Sequence, residues 1–355
     1  MMNMQSRMKK ALGFGLLLLV LISMDSCGIN ARVKKADRKY AIGEYYEAGE
    51  MYRQLYRRIP TKERSLRAHV AFQQGESHRI LNNTRAASAY KNAIKYRYAD
   101  SIVYLHYAQV LQYQGKYKDA IKQYDIYLEG HPADYVAQAG KYGCMQVEQW
   151  KKQPSRYKVA LAKEFNEKRT SSFAPAFISE DGDALVFTSN RQEKSTNSKK
   201  KKVRTSPVTG ATTFNLYSTR QNAAGEWEDI ELCQGLYQEP EGESEEEGNN
   251  AKTSSAELGV CCFSPDGKTM YFTYSCPQNG QDLGAKIYTS TRASGEWGEG
   301  QELKLFSDSS ITVGHPSLNA YGDTLYFVSD APGGYGGKDI YMAILDGSEW
   351  TDIQN

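Results

Sequence analysis

The histidines and glycine-rich segments of this chain are residues that could carry chemistry, and their spacing matches no catalytic centre. None of the histidines forms the H-E-x-x-H pair of a zinc protease, and no G-x-S-x-G nucleophile turn occurs. The stretch Pro332–Asp339 has the glycines of a phosphate loop, but Lys338 is followed by Asp339 rather than by Ser or Thr. We interpret it as a turn between strands. The sequence therefore predicts a protein that is not an enzyme, with no catalytic residue, cofactor or metal.

The cysteines offer a second kind of chemistry, disulfide formation or metal binding. They are Cys27, Cys144, Cys233, Cys261, Cys262 and Cys276. No C-x-x-C pair occurs, which argues against a metal site. A hairpin turn at Gly267 would place Cys261 opposite Phe272, so Cys261 and Cys276 would not face each other directly. We expect buried free thiols, and the connectivity of any disulfide stays open.

The N-terminus has the organisation of a secretory leader. Lys9 and Lys10 precede the apolar run Ala11–Ile22, which is shorter than the roughly 20 residues needed to span a bilayer. Cys27 follows with small neighbours, which resembles a bacterial lipobox and predicts thioether lipidation of Cys27; ordinary signal cleavage beside an incidental cysteine is the alternative. We assign residues 1–26 to a lipoprotein signal peptide. Because Gly28 is not Asp, an inner-membrane retention signal is absent, and we expect a lipid anchor in the outer membrane with the body facing the periplasm.

A helical repeat is predicted after the leader, in residues 27–155. The segments Ala41–Pro60 and Gln112–Pro132 align without a gap, at an offset that corresponds to two units of about 36 residues. A weaker middle unit lies around Ala68–Ala99. This pattern resembles a tetratricopeptide (TPR) α-solenoid of about three repeats, and a plain helical bundle is the alternative. Asp134–Trp150 would start a capping helix with a polar outer face.

Specific residues of the aligned segments explain why the helices pair. Gly43 and Gly115 turn the chain between helices, and the small residues Ala48 and Ala120 allow close approach. Tyr52 corresponds to Tyr124. Pro60 and Pro132 end the second helix because proline cannot donate a backbone hydrogen bond. In the middle unit, Gly75 and Ala87 take the small positions.

The rest of the chain, residues 156–355, repeats a strand–turn–strand phrase three times. The copies are Phe173–Arg191, Val260–Cys276 and Gly314–Asp330. Each is followed by a phrase with an I/L-Y strand, a glycine turn and a tryptophan: Phe214–Leu232, Lys286–Leu303 and Lys338–Ile353. The unit therefore has four strands and a period of about 55 residues, near that of propeller blades.

The central copy carries the most specific motif. Phe263–Gly267 reads F-S-P-D-G and is followed by the aromatic strand Tyr271–Ser275. This resembles the PD40 (TolB-type, WD40-like) β-propeller blade, although unrelated β-hairpins remain an alternative. The fold class predicted is thus a multidomain chain, α then β, with a TPR solenoid followed by a partial PD40 propeller. A closed ring needs roughly four to eight blades, so about three before Asn355 suggest a truncated product or gene fragment.

The order of lipobox, TPR array and blades ending in Gly333–Tyr341 resembles the PorE-type envelope lipoproteins linked to the type IX secretion system of Bacteroidota. The resemblance implies a non-enzymatic scaffold for protein–protein contacts in type IX secretion or envelope assembly. The partners implied are envelope proteins, including secretion barrels and periplasmic ring components. The OmpA-type domain of full-length members is absent here, so peptidoglycan binding is not carried over.

Within this scaffold, aromatic residues are the candidate binding groups. Tyr104, Tyr107, Tyr113 and Tyr117 are the candidate lining of a protein-binding groove. An alternative function is binding or sensing of cell-wall fragments or glycans by the propeller face around Trp227, Trp297 and Trp350. A third is a catalytic domain beyond Asn355, which no residue here supports. The net charge of +2 gives no reason to expect nucleic acid, and we expect no small-molecule substrate.

Overall fold

The chain divides into two compact units in a computed structural model. The first comprises residues 1–158 with 206–210, and the second comprises 159–205 with 211–355. The structure describes residues 28–168, 170–191, 205–236, 257–275, 284–293 and 295–355. The predicted signal peptide, its Cys27 and also Cys276 lie outside these ranges.

The first unit is helical. Its seven described α-helices are α1 (residues 28–41), α2 (Tyr45–Arg58), α3 (Arg64–Ile80), α4 (Ala86–Lys95), α5 (Ile102–Tyr113), α6 (Tyr117–Gly130) and α7 (Tyr135–Lys152). None of the helices in the described ranges is long and apolar enough to cross a membrane. These seven helices confirm the predicted helical region, which consists of successive helix pairs joined by short turns.

The turns within the pairs differ in chemistry but not in backbone conformation. Gly43 and Gly115 have φ of +83° and +73°, a region in which glycine carries no Cβ penalty. At each turn the residue after the glycine donates its N–H to a carbonyl of the preceding helix, 2.9 Å for Glu44 and 2.8 Å for Lys116. In the middle pair Asn82 takes this role with φ of +49°. The sequence of the middle unit looked weaker because asparagine replaces the glycine.

Small residues let the paired helices pack closely. Ala48 and Ala120 are fully buried, as predicted. In the middle pair Ala86 is fully buried, whereas the predicted Ala87 is only partly buried. A Cβ on Gly75 would lie 2.7 Å from the ring of Tyr90, so only glycine fits against that tyrosine. The interior of this unit is therefore built on alanine and glycine facing large aromatic rings.

A short segment of the later sequence also belongs to the first unit. Residues 206–210 lie against the start of α2, where no side chain caps the helix. The carbonyl of Val208 accepts the N–H of Tyr46 at 3.0 Å, and that of Pro207 accepts the N–H of Glu47 at 3.2 Å. Helix N-terminal N–H groups lack partners within the helix, and this segment supplies two.

The second unit contains three antiparallel sheets, which is the arrangement of a partial propeller. The first is formed by β1 (Ser172–Phe177), β2 (Ala184–Ser189), β3 (Asn215–Arg220) and β4 (Glu231–Leu232). The second is formed by β5 (Glu257–Phe263), β6 (Thr269–Ser275), β7 (Ala285–Ala293), β8 (Glu296–Trp297) and β9 (Gln301–Glu302), of which β9 pairs with β7. The third is formed by β10 (Val313–Leu318), β11 (Thr324–Ser329), β12 (Asp339–Asp346) and β13 (Glu349–Gln354).

The turn that joins the first two strands of each sheet explains the repeated sequence phrase. In the central copy the Ser264 side chain accepts the N–H of Thr269 at 2.9 Å and donates to Asp266 at 2.6 Å. In the third copy Asn319 accepts the N–H groups of Asp323 and Thr324 instead. The S-P-D-G motif is thus a turn requirement that different polar side chains can meet.

Consecutive sheets stack on one another through these turns and through their faces. A Cβ on Gly267, whose φ is +66°, would lie 2.8 Å from the carbonyl oxygen of Ile178, which directly follows β1 of the first sheet. One core combines residues of the first and second sheets, and another combines Ile287 of the second with Leu325 and Phe327 of the third. Sheet-on-sheet burial therefore holds this unit together.

The outer face of the third sheet differs from the matching faces of the other two. Leu216 in β3 and Ile287 in β7 occupy equivalent strand positions, and both are fully buried by the sheet that follows. Ile340 occupies the same position in β12 and is 70 % exposed. Tyr326 on the adjacent strand is exposed as well. The third sheet therefore presents an apolar face that nothing in the described part of the chain covers.

Candidate functional site

Each helix pair of the first unit is joined by a buried tyrosine that donates to an acceptor on the first helix of the pair. The Tyr52 hydroxyl donates to Asp37 at 2.7 Å. The Tyr90 hydroxyl donates to Glu76 at 2.6 Å, and the Tyr124 hydroxyl donates to Gln112 at 2.6 Å. All three tyrosines are essentially inaccessible to solvent. The alignment of Tyr52 with Tyr124 was visible in the sequence, whereas their acceptors were not recognised.

A histidine from the next pair reaches the same acceptor in two of the three cases. The His69 Nε2 lies 3.1 Å from Asp37, and the His106 Nδ1 lies 2.5 Å from Glu76. Each carboxylate thus connects three helices: its own, its pair partner and the first helix of the following pair. In both cases the carboxylate belongs to one pair and the histidine to the pair that follows it in the sequence.

Glu76 is the most buried of these acceptors and binds the most partners. Arg79 donates to Glu76 at 2.7 Å and also to the hydroxyl of Tyr90 at 3.2 Å. Burial alone would raise the pKa of Glu76, but the hydrogen bonds from His106 and Arg79 outweigh it and lower that pKa to about 2. Burial and the neighbouring Glu76 charge raise the pKa of Tyr90. With all its hydrogen bonds engaged inside the helical array, the carboxylate acts as a structural junction.

The four predicted groove tyrosines do not share one environment. Tyr104, Tyr107 and Tyr117 are half-buried and pack against the cores formed by α3 to α7. Tyr113, at the end of α5, is 71 % exposed. Tyr113 is therefore the member of the set best placed to meet a partner, and the others can contribute only part of their rings.

Helix α7 carries an aromatic surface that sequence reasoning did not identify. Tyr135, Tyr142, Met145 and Trp150 are each more than half exposed. At about 100° per residue, Tyr135, Tyr142 and Met145 lie within an arc of about 80°, and Trp150 widens the arc to about 140°. The outer face of the last helix was expected to be polar, and that expectation was wrong at these positions. We call these four residues the α7 stripe.

Each of the three tryptophans of the sheet unit packs against an aromatic ring of the same unit. Trp227 contacts Phe165, with ring centroids 5.3 Å apart, and Trp297 contacts Phe263 at 5.7 Å. Trp350 contacts Tyr271 of the preceding sheet at 6.1 Å. Their recurrence in the sequence therefore has a packing explanation. The most exposed aromatic residues in the described part of this unit lie elsewhere, at Tyr321 and Tyr335, which are almost fully accessible.

The tyrosine of the repeated I/L-Y phrase also has a structural role. In the first sheet the Tyr217 hydroxyl donates to the carbonyl of Arg191 at 2.8 Å. In the third sheet the Tyr341 hydroxyl donates to the carbonyl of Ala331 at 2.7 Å. The glycine-rich stretch after Ala331 joins β11 to β12, as predicted for a turn. The carboxylate of Asp339 closes it by accepting the N–H of Gly336 at 2.9 Å.

Burial raises the pKa of each cysteine thiol in the described residues. Cys144, Cys233 and Cys261 are buried and free, and Cys262 is free and half-buried. Burial raises the pKa of Cys233 to about 11 and that of Cys262 to about 12. Cys261 pairs across the hairpin with Phe272, as the turn position predicted. Within the described ranges, no three His, Cys, Asp or Glu side chains are arranged to hold a metal.

Comparison with known proteins identifies no family for this chain. No protein-family profile and no curated protein matches the chain. Among solved structures it is similar to a chain from a structural and mechanistic analysis of two prolyl endopeptidases. The identity is 17 % and the TM-score is 0.25, over 51 % of this chain and 20 % of that one. The chain thus spans about a fifth of that structure's length, and the similarity assigns no activity to it.

Proposed function

We propose that this protein is a non-enzymatic lipoprotein of the outer membrane that holds envelope proteins together at the periplasmic face. The α7 stripe carries the proposal, because several large apolar side chains exposed on one helix commonly mark a protein contact. Exposed Tyr113 supplies a second aromatic contact on the same helical unit. The sequence resemblance to PorE-type lipoproteins favours type IX secretion or envelope assembly as the setting.

The assignment of the two units to particular repeat families rests on sequence features. We infer a TPR array because the helix pairs recur with a period near 36 residues and small residues at the pair contacts. We infer PD40-type blades because the S-P-D-G turn of the second sheet has counterparts, S-E-D-G and N-A-Y-G, between the first two strands of the other two sheets. Arrays of both kinds present extended surfaces for other proteins, which suits a scaffold.

The partner test compares two surface variants. We expect crosslinking of the lipidated protein in solubilised outer membranes to recover secretion barrels and periplasmic ring proteins, identified by mass spectrometry. Replacing Tyr142 and Met145 together by alanine removes the centre of the α7 stripe and should reduce that recovery at least tenfold. Both side chains are exposed, so the fold should be unaffected.

The matched control replaces Tyr321 and Tyr335 by alanine, two exposed aromatics of the sheet unit. This control should recover the same protein partners as the unchanged chain. The competing function, binding of cell-wall fragments or glycans, predicts the reverse. In that case muropeptides or glycans would be recovered without protein partners, and the Tyr321/Tyr335 variant would lose them.

Lipidation is tested separately. We expect radioactive palmitate to label the protein in growing cells, and the Cys27→Ala chain to remain unlabelled, because the thioether forms on that sulfur. Cys262→Ala is the matched control and should be labelled as strongly as the unchanged chain. Equal labelling of the Cys27→Ala chain would exclude Cys27 as the anchor.

A further inference from the structure

One face of helix α1 packs against the neighbouring helices, and the opposite face is cationic and exposed to solvent. Val33 and Ala36 are buried against α2 and α3 with Tyr52 and Val70. The exposed side carries four basic residues within two turns: Arg32, Lys34, Lys35 and Arg38. The positive charge of this helix is thus concentrated on its exposed side, although the whole chain carries a net charge of only +2.

Acidic residues do not neutralise this cationic face within the described part of the chain. The acidic residue of the helix, Asp37, is bound by Tyr52 and His69 instead. The next basic residue, Lys39, forms ion pairs with Glu44 and Glu47. Arg32, Lys34, Lys35 and Arg38 form no such pair in the described ranges. Four positive charges therefore face solvent together.

The position of these charges in the sequence indicates what they meet. The described part of the helix starts at residue 28, the neighbour of Cys27 in the sequence. At a rise of 1.5 Å per residue, the four cations lie about 6 to 15 Å along the helix axis from residue 28. A charge interacts with an anionic surface within about one Debye length, which is roughly 8 to 10 Å at physiological salt. An anchor at Cys27 would bring at least the first of these cations into that range.

We propose that the cationic face of α1 binds the anionic phospholipid headgroups of the membrane to which Cys27 is attached. The proposal rests on the proposed lipid anchor and adds an electrostatic contact that sets how the helical unit lies on the membrane. Juxtamembrane basic residues near an anionic lipid surface each contribute to binding, and clusters of four are sufficient for recognition. Phosphatidylglycerol is the headgroup used as the probe.

The test separates the electrostatic contact from the lipid anchor. The full chain carrying Cys27→Ala is mixed with vesicles of phosphatidylcholine, with or without an equal part of phosphatidylglycerol, and sedimented. A second chain adds Arg32→Gln, Lys34→Gln, Lys35→Gln and Arg38→Gln. A charge-matched control adds Arg57→Gln, Arg58→Gln, Lys62→Gln and Lys91→Gln, which are also exposed basic residues of the helical unit. All three chains share residues 1–26, so the leader contributes equally.

The α1 variant should bind phosphatidylglycerol vesicles on the order of 100-fold more weakly than the Cys27→Ala chain. The control should change by less than about threefold, and about 1 M salt should remove the difference because it shortens the Debye length to roughly 3 Å. Equal losses in the α1 variant and the control, or none in either, would overturn the proposal. Failure of palmitate labelling would remove the anchor but leave this result unchanged, so the two failures are distinguishable. Circular dichroism verifies that the variants are equally helical.

Discussion

Replacing Glu76 by glutamine is expected to destabilise the helical unit by about 3 kcal/mol. The substitution keeps the shape of the side chain but removes the negative charge to which Arg79, Tyr90 and His106 all bind. The amide NH2 group must then face at least one of these donors. Breaking a buried charged contact by removing one partner typically costs about 3 to 5 kcal/mol. Denaturant unfolding followed by far-UV circular dichroism measures the change.

Glu129→Gln is the matched control, because Glu129 is exposed on α6 of the same unit. It should change the free energy of unfolding by less than about 0.5 kcal/mol. If Glu76→Gln were equally mild, Glu76 would not be the structural junction inferred from its contacts.

The same carboxylate gives the helical unit a defined acid sensitivity. The pKa of Glu76 is about 2 in the folded chain, against 4.5 for an ordinary glutamate. A pKa lowered by folding stabilises the protein above the ordinary pKa, and this stabilisation is lost as the pH falls from 4.5 towards 2. The advantage of the unchanged chain over Glu76→Gln should therefore shrink by about 3 kcal/mol across that interval. An advantage independent of pH would contradict the assigned ionisation.

Replacing Ile287 by alanine is expected to cost the sheet unit about 2 to 5 kcal/mol, the usual range for a buried isoleucine. Its side chain is fully buried between the second and third sheets, beside Leu325 and Phe327. Ile340→Ala is the same chemical change at the equivalent strand position, where the side chain is 70 % exposed. It should cost less than about 0.5 kcal/mol.

Tryptophan fluorescence during denaturant unfolding can measure this pair of variants. Trp227, Trp297 and Trp350 belong to the sheet unit and Trp150 to the helical unit, so the signal reports mainly on the sheets. A large cost for Ile340→Ala would mean that the outer face of the third sheet is covered in solution. A small cost for Ile287→Ala would contradict the stacking of the second and third sheets.

In the helical half, the features that depend on neighbouring residues in the sequence could be predicted. Glycine and proline at matching positions of the aligned segments predicted the turns, because few other residues accept those backbone conformations. The middle pair was harder, since Asn82 meets the same backbone requirement as a glycine. The acceptors Asp37 and Glu76 could not be identified, because their partners on other helices are 14 to 32 residues away in the sequence.

The sheet half shows the same limit. The hairpins and the pairing of Cys261 with Phe272 followed from turn position and alternation. Which strand faces become buried depends on stacking between sheets, and no local pattern distinguishes Ile340 from Ile287. For the candidate site, Tyr113 was among the predicted residues, whereas the α7 stripe was missed. Its spacing along one helix face was present in the sequence but was interpreted only as an end cap.

The contacts of the buried tyrosines imply that the helix pairs cannot be interchanged. In the first two pairs a carboxylate accepts both a tyrosine and the histidine of the following pair. In the third pair the acceptor is the neutral Gln112, and α7 places Gly143 beside it, where an added Cβ would lie 3.5 Å from the Gln112 Nε2. Duplicating or shuffling one pair would set an amide against a histidine, or a carboxylate against a glycine. The number and order of pairs in this array are therefore specified by its own side chains, and insertion of an extra pair would require a compensating change at its junctions.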